Sequence, residues 1–330
     1  MAEKVKIPEG VLLLRENIVQ RGNLFGLPAK IKASWARGLK LPNEGDTILF
    51  TGCGYEFLGF TKPLTSILRK TEKVGVERSV GFVRFIEKLG LNLPEIYARL
   101  AGKDEDNEVL RATVKVLRAL GIKFSYLGEE EPCCGAPLYF LGFQSDFIKR
   151  AKETSTFLKR KGVKRIISLV PSCTYALKEL YPRFLNDFDI EVKFILEVLA
   201  GQMPQVKLSE PIVAVYHDPC LLSRYLGLRE EPRRILKQVG NLELKETQWT
   251  QREWSTCCGG GGGFEVVFPE LSLLLAQRRV EELLESKPQA IITSCPGCFL
   301  QLEEGLKALK IEGVRVVDLV QILARAMEGR

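Results

Sequence analysis

The sequence predicts an α/β protein built from two similar halves. Three observations carry that expectation: short Val/Ile-rich runs alternate with stretches of helical periodicity, the order of these stretches repeats, and cysteines follow the runs at matching places. Uninterrupted apolar runs read as strands of parallel sheets covered on both faces. The helical stretches between them read as βαβ crossovers.

The first half opens with "DTILFTGC", an apolar run ending at Cys53, and the second with "PIVAVYHDPC", ending at Cys220. A helical stretch follows in each, "DNEVLRATVKVLRALGIK" against "EEPRRILKQVGN". A short strand and a vicinal cysteine pair come next, in "KFSYLGEEEPCCG" and "NLELKETQWTQREWSTCCGG". Another helix leads to "VKRIISLVPSC" in the first half and "PQAIITSCPGC" in the second. Each half closes with strand and helix, in "EVKFILEVLAG" and "VRVVDLVQILARAM". The expected architecture is therefore two tandem Rossmann-like βαβ domains with parallel sheets, related by an internal repeat. They span 44–206 and 207–330, after a linker or docking segment at 1–43. Between Cys53 and Cys133 lie 79 residues, against 36 between Cys220 and Cys257. The excess is read as a helical insertion at about 57–105.

Bulk properties narrow the function. Apolar residues make up 45% of the chain, enough for a substantial core, and disorder is not expected. The start carries no leader-like pattern and no apolar run reaches membrane-spanning length, so a cytoplasmic location is expected. Attachment to the inner membrane face through partners is compatible with that. The formal charge of +7 is spread along the chain, with one denser run in "KRKGVKR". That run is read as a solvated helix end or, less simply, as a docking face for an acidic partner or anionic surface. No nucleic-acid-binding signature accompanies it, and no nucleic-acid partner is expected.

The nine cysteines are the informative residues: Cys53, Cys133, Cys134, Cys173, Cys220, Cys257, Cys258, Cys295 and Cys298. Their odd number and two vicinal pairs argue against a disulfide framework. The second half reads C-x36-CC-x36-C-x2-C. A C-x2-C pair can present two thiolates to one metal from a single turn, and soft sulfur suits iron–sulfur cores or zinc. A structural zinc site takes four ligands, whereas this half offers five. A redox dithiol in "CPGC" would leave Cys220, Cys257 and Cys258 unexplained.

The first half lacks one thiol, because Val170 stands where the second half has Cys295. Its four cysteines suffice for an ordinary iron–sulfur cluster or for zinc. "CCGGGGGF" is read as close backbone approach to a cofactor and substrate at Gly259 and Gly260. His217, the single histidine, precedes Cys220 by three residues and is a candidate hydrogen-bond or proton donor. Asp218 is expected to cap the following turn. Trp249 and Trp254 are expected to be packing residues.

The tandem C…CCG…CPxC pattern, with "GC" and "HDPC" closing the first strands, resembles the CCG (cysteine-rich) domain family. Within it, "RATVKVLRALGIKFSYLGEEEPCCGAP" and "YHDPCLLSRY…CCGGGGGFE…CPGC" are most similar to heterodisulfide reductase catalytic subunits and related iron–sulfur subunits. The resemblance implies a non-cubane [4Fe–4S] cluster on Cys220, Cys257, Cys258, Cys295 and Cys298. It implies a second iron–sulfur cluster, or zinc, on Cys53, Cys133, Cys134 and Cys173. The implied reaction is two-electron reduction of a disulfide, or its reverse, with Cys257, Cys258, Cys295 and His217 at the reacting site. The disulfide would be a small molecule or a small protein. No stretch resembles the C-x2-C-x2-C-x3-C-P ferredoxin signature. Electrons would therefore come from a ferredoxin-type iron–sulfur subunit, a flavoprotein or a membrane cytochrome subunit. The alternative is an electron-transfer subunit beside a flavin-dependent lactate, glycolate or glycerol-3-phosphate oxidase, delivering to quinone.

Overall fold

The computed structural model describes residues 7–59 and 107–328. The expected insertion falls almost entirely outside them. Among the described residues, seven strands form two all-parallel sheets. The first has the order β1 (Thr47–Phe50), β2 (Arg165–Ser168) and β3 (Glu191–Phe194). The second has the order β5 (Val239–Lys245), β4 (Val206–Tyr216), β6 (Ala290–Thr293) and β7 (Arg315–Asp318). All four β6 residues are buried, as a strand covered by helices on both faces requires. Phe50 pairs with Ser168 and Tyr216 with Ile292, so strands ending in cysteine-bearing loops finish at one rim of each sheet.

The two sheets repeat the same order except at one position. The strand expected in "KFSYLG" reduces to a single bridge between Ile48 and Ser125. The reason lies in the backbone. Ser125 exchanges N–H and C=O with Thr47 and Leu49, while the next amide, on Tyr126, donates to the Pro42 carbonyl at 2.8 Å. The next residue facing β1 would be Leu127, but its backbone is helical (φ −75°, ψ −5°) and leads into the turn Gly128–Glu130, so the ladder stops.

Helices cover the sheets. Those used below are α1 (Glu9–Arg21), α2 (Gly52–Glu56), α3 (Glu108–Ala119), α4 (Gln144–Arg160), α5 (Pro171–Tyr175) and α6 (Ile195–Ala200). They continue with α7 (Glu231–Leu236), α8 (Pro269–Leu284), α9 (Pro296–Ala308) and α10 (Leu319–Glu328). The halves pack through reciprocal pairs: α3 on α10 and α6 on α7. Likewise α2 meets α9, while α5 meets the π-helical turn Leu221–Tyr225. Such exchange of equivalent elements is what a pseudo-two-fold relation between repeats produces. One buried apolar cluster runs through both sheets.

Residues 7–43 fold against the first half. Trp35 is fully buried and its indole N–H donates to Tyr126 OH at 3.1 Å, so the polar end of the ring is satisfied. Arg15 pairs with Asp146 of α4. Arg150, also on α4, donates to the Ile18 carbonyl at the end of α1. Among the described residues no helix is long and apolar enough to cross a membrane.

Candidate metal centres

Each half gathers its cysteines at the carboxyl rim of its sheet, where α/β sheets collect ligands. In the second half Cys220 follows β4, Cys295 and Cys298 follow β6, and the vicinal pair comes in on the loop after β5. Cys258 Sγ lies 3.1 Å from Cys298 Sγ. The Cys257 sulfur accepts from the Gly259 amide at 3.3 Å. The first half repeats this geometry, with Cys134 Sγ 3.0 Å from Cys173 Sγ and the Gly135 amide 3.4 Å from the Cys133 sulfur. All nine cysteines lie among the described residues, and each is a free thiol.

The thiols also influence one another electrostatically. Burial pushes Cys53 well up, and charge on Cys133 adds to it. Cys173 is held down by its hydrogen bond with Cys134, but burial and charge on Cys53 and Cys133 carry it to about 11. Cys220 is raised by burial, then by charge on Cys258 and Cys295. Cys258 goes the other way: hydrogen bonds from Cys257 and Cys298, with help from His217, hold it well below the usual thiol range. A set of mutually repelling sulfurs is a set that gains from a shared cation, because thiolates bind metal only when deprotonated.

The two centres differ in access. Cys257 is exposed where its counterpart Cys133 is buried, and Cys295 is half-buried where the first half has no thiol; Cys53 and Cys220 are both half-buried, and Cys134, Cys173, Cys258 and Cys298 are all buried. The glycine run lets its loop pack tightly beside the second centre. Gly259 has φ of 83°, and a Cβ there would sit 2.2 Å from the Ser272 carbonyl oxygen of α8. A Cβ on Gly260 would lie 2.9 Å from the Gly297 carbonyl oxygen, so only glycine lets the vicinal-pair loop lie on the CPGC turn.

Val170 takes the place of Cys295 in backbone terms as well. It starts α5 as Cys295 starts α9, both in extended conformation. Its side chain is 5% exposed and packs on Gly52, where a Cβ would come within 2.8 Å of it. An apolar wall therefore closes the first centre where the second has a thiol.

His217 is 1% exposed and reaches the second centre. One of its ring nitrogens lies within 4.8 Å of both Cys258 Sγ and Cys298 Sγ. Burial and the Arg279 guanidinium keep its pKa low, so the ring is neutral. Asp218 differs from its expected role. Instead of capping the following turn, it receives both ends of the Arg233 guanidinium at 2.8 and 2.9 Å, and the Arg252 amide at 2.8 Å. Arg233 also binds Glu246, and the three charges share one fork geometry that suits a planar guanidinium. Trp249 and Trp254, expected to pack, are instead 78% and 75% exposed; they lie in the segment leading to Cys257. Arg224 clamps that segment by donating to the Glu253 and Ser255 carbonyls.

Two groups near the centres are not evident from the sequence pattern. Glu131 braces the "TGC" turn, accepting from the Thr51 amide at 2.9 Å and the Gly52 amide at 2.7 Å. Beside it Glu56, buried with a like charge for neighbour, is raised to about 8. In the second half Arg279 of α8 donates to His217 Nδ1 at 3.0 Å and is fully buried. A signal for it exists: Ser272, Ala276, Arg279, Val280 and Leu283 form the buried stripe of α8, with an arginine inside an otherwise small and apolar face.

The chain is similar to known proteins. The cysteine-rich domain family CCG matches at residues 100–178 and 214–303. The chain is 35% identical over 224 residues to one subunit of the dihydromethanophenazine:CoB--CoM heterodisulfide reductase of Methanosarcina barkeri, covering 66% of this chain and 54% of that protein. It is 32% identical over 249 residues to the EtfAB:quinone oxidoreductase of Syntrophomonas wolfei, covering 71% of this chain and 34% of that protein. The chain thus spans about half, or less, of the length of these relatives. Among solved structures, a hypothetical protein from Helicobacter pylori aligns with a TM-score of 0.51 at 16% identity, covering 66% of this chain and 45% of that one, which speaks to the fold alone. With both cysteine-bearing stretches matched, the chain belongs to the CCG cysteine-rich domain family.

Proposed function

We propose that this chain is an iron–sulfur redox subunit that reduces a disulfide with two electrons at its second centre. The observation that carries the reading is the convergence of Cys220, Cys257, Cys258, Cys295 and Cys298 on one rim, with Cys257 open to solvent. Five soft sulfur donors fit an iron–sulfur core better than a four-coordinate zinc site. The proposed group is a non-cubane [4Fe–4S] cluster, which supplies and stores single electrons beside the substrate. The overall reaction is RSSR + 2e⁻ + 2H⁺ → 2RSH, or its reverse. The exposed side at Cys257 admits the disulfide, and the buried Arg279–His217 pair orders the inner wall.

The closed first centre, on Cys53, Cys133, Cys134 and Cys173, holds a second iron–sulfur cluster or zinc in this reading. The unit boundary at 206/207 belongs to it too, since β4 begins there. Electrons arrive from a partner: a ferredoxin-type iron–sulfur subunit, a flavoprotein or a membrane cytochrome subunit. The kinship with a heterodisulfide reductase supports disulfide chemistry. The kinship with an EtfAB:quinone oxidoreductase favours a second reading, an electron-transfer subunit that passes electrons on to quinone.

The test is anaerobic purification followed by iron, sulfide and zinc analysis and reduced-viologen oxidation by disulfides. Cys258→Ser and Cys295→Ser are each expected to remove the second centre and at least about 90% of disulfide turnover, by the order of effect that disturbing a metal site has. Wild-type protein that holds its iron but reduces no disulfide would move the assignment to the electron-transfer reading.

A further inference from the structure

Arg279 and His217 form a unit that the proposed reaction does not by itself require. An arginine side chain carries donors only, so when Arg279 Nε–H points at His217 Nδ1, that nitrogen must be the acceptor. The proton of the neutral ring then resides on Nε2. Nε2 is buried and has no hydrogen-bond partner among the described residues, an expensive state for a polar group. With Nδ1 taken, Nε2 is the ring nitrogen left for the neighbouring Cys258 and Cys298 sulfurs. Arg279 is itself anchored, by Thr250, Thr256 and Glu282. The ring can therefore neither rotate nor exchange tautomers without breaking buried hydrogen bonds.

The first centre is built differently. Strand register sets Phe50, three residues before Cys53 at the end of β1, in the place of His217, three residues before Cys220. A phenyl ring offers no donor.

We propose that Arg279 is a positioning residue that locks His217 with Nε2–H as the donor left for the Cys258–Cys298 sulfurs, and that the hydrogen bond it would make to them with a cluster bound makes the second centre the more easily reduced of the two. A donor to a thiolate sulfur offsets the negative charge that reduction adds and so raises the potential of an iron–sulfur centre. Any electron that enters at the first centre then moves to the second, the first being oxidised as the second is reduced. The inference rests on the iron–sulfur reading above.

The experiment is a redox titration followed by EPR on the full-length protein purified anaerobically, with iron content measured alongside. His217→Phe installs the first centre's residue and keeps the volume filled, and Arg279→Met removes the lock. Each is expected to leave iron content unchanged and to cut the reduction equilibrium of the second centre about tenfold, a shift of about 59 mV downward for a one-electron couple. His217→Gln, which keeps an N–H donor, is expected to recover part of the shift. An unchanged potential in His217→Phe overturns the proposal even if Arg279→Met fails to fold. Loss of iron in His217→Phe overturns it differently, by making His217 a ligand. Iron-free wild-type protein would instead remove the underlying iron–sulfur reading and the inference with it.

Discussion

The Tyr55 hydroxyl donates to the Asp318 carboxylate across the junction of the two halves. Tyr55 lies two residues after Cys53, and Asp318 ends β7, paired in register with Thr293 just ahead of Cys295. One hydrogen bond thus joins the segment that carries Cys53 to the strand beside the one that leads to Cys295 and Cys298. The reciprocal position in the repeat is apolar, because Phe194 ends β3 where Asp318 ends β7. The junction is symmetric in backbone and asymmetric in polarity.

That asymmetry makes Asp318 a source of pH dependence. Burial raises its carboxyl from 3.8 to about 6, against the hydrogen bonds from Tyr55 and the Val320 amide, which favour the charged form. The native state therefore keeps a proton that the unfolded chain has already released, and this contribution falls as pH rises from about 4 to about 6. About two units correspond to roughly 3 kcal/mol. Asp318→Asn removes the titration, so the variant is expected to gain on wild type between about pH 4 and pH 7 in urea unfolding. A constant difference between the two proteins across that range would contradict the assignment.

Val170→Cys restores the thiol that the first centre lacks, on a backbone that already has the extended conformation of Cys295. The exchange nearly conserves volume, and its stability cost is expected to stay under about 1.5 kcal/mol. The expected outcome is a changed EPR signature, higher iron content, or both. If neither moves, the valine is not what separates the two centres.

Arg233 holds the "HDPC" turn through Asp218 and the loop before the vicinal pair through Glu246 and the Asp218–Arg252 contact. Removing one partner of a buried charge network leaves the others uncompensated, at a cost of about 3–5 kcal/mol. Arg233→Met is expected to lower stability by that amount in denaturant titration and to release metal from the second centre at lower denaturant than in wild type. A loss below about 1 kcal/mol, the range of exposed ion pairs, would show that the network does not brace the loops.

Much of the site is legible in the sequence because its signal is local. Thiols are named by their residue type, the repeat aligns them pairwise, and parallel strands bring strand ends to one rim. The strand expected in "KFSYLG" stops at one bridge because the chain turns helical at Leu127, which the local apolar pattern does not reveal. Asp218 departs from expectation for a related reason: a turn-capping role is the local option for Asp, and Arg233 lies 15 residues away. The exposed tryptophans show that bulk alone does not decide burial. Nothing in "QWTQREWS" says which side of the loop faces the core.

The sequence by itself determined the family, the α/β repeat and which half lacks a thiol, since each is written in residue type and spacing. Only the tertiary structure decided which centre opens to solvent, which nitrogen of His217 is free, and which charges back the cysteine loops. Those properties depend on partners distant along the chain, such as Arg279 for His217 and Asp318 for Tyr55. A one-dimensional pattern carries no distance between them.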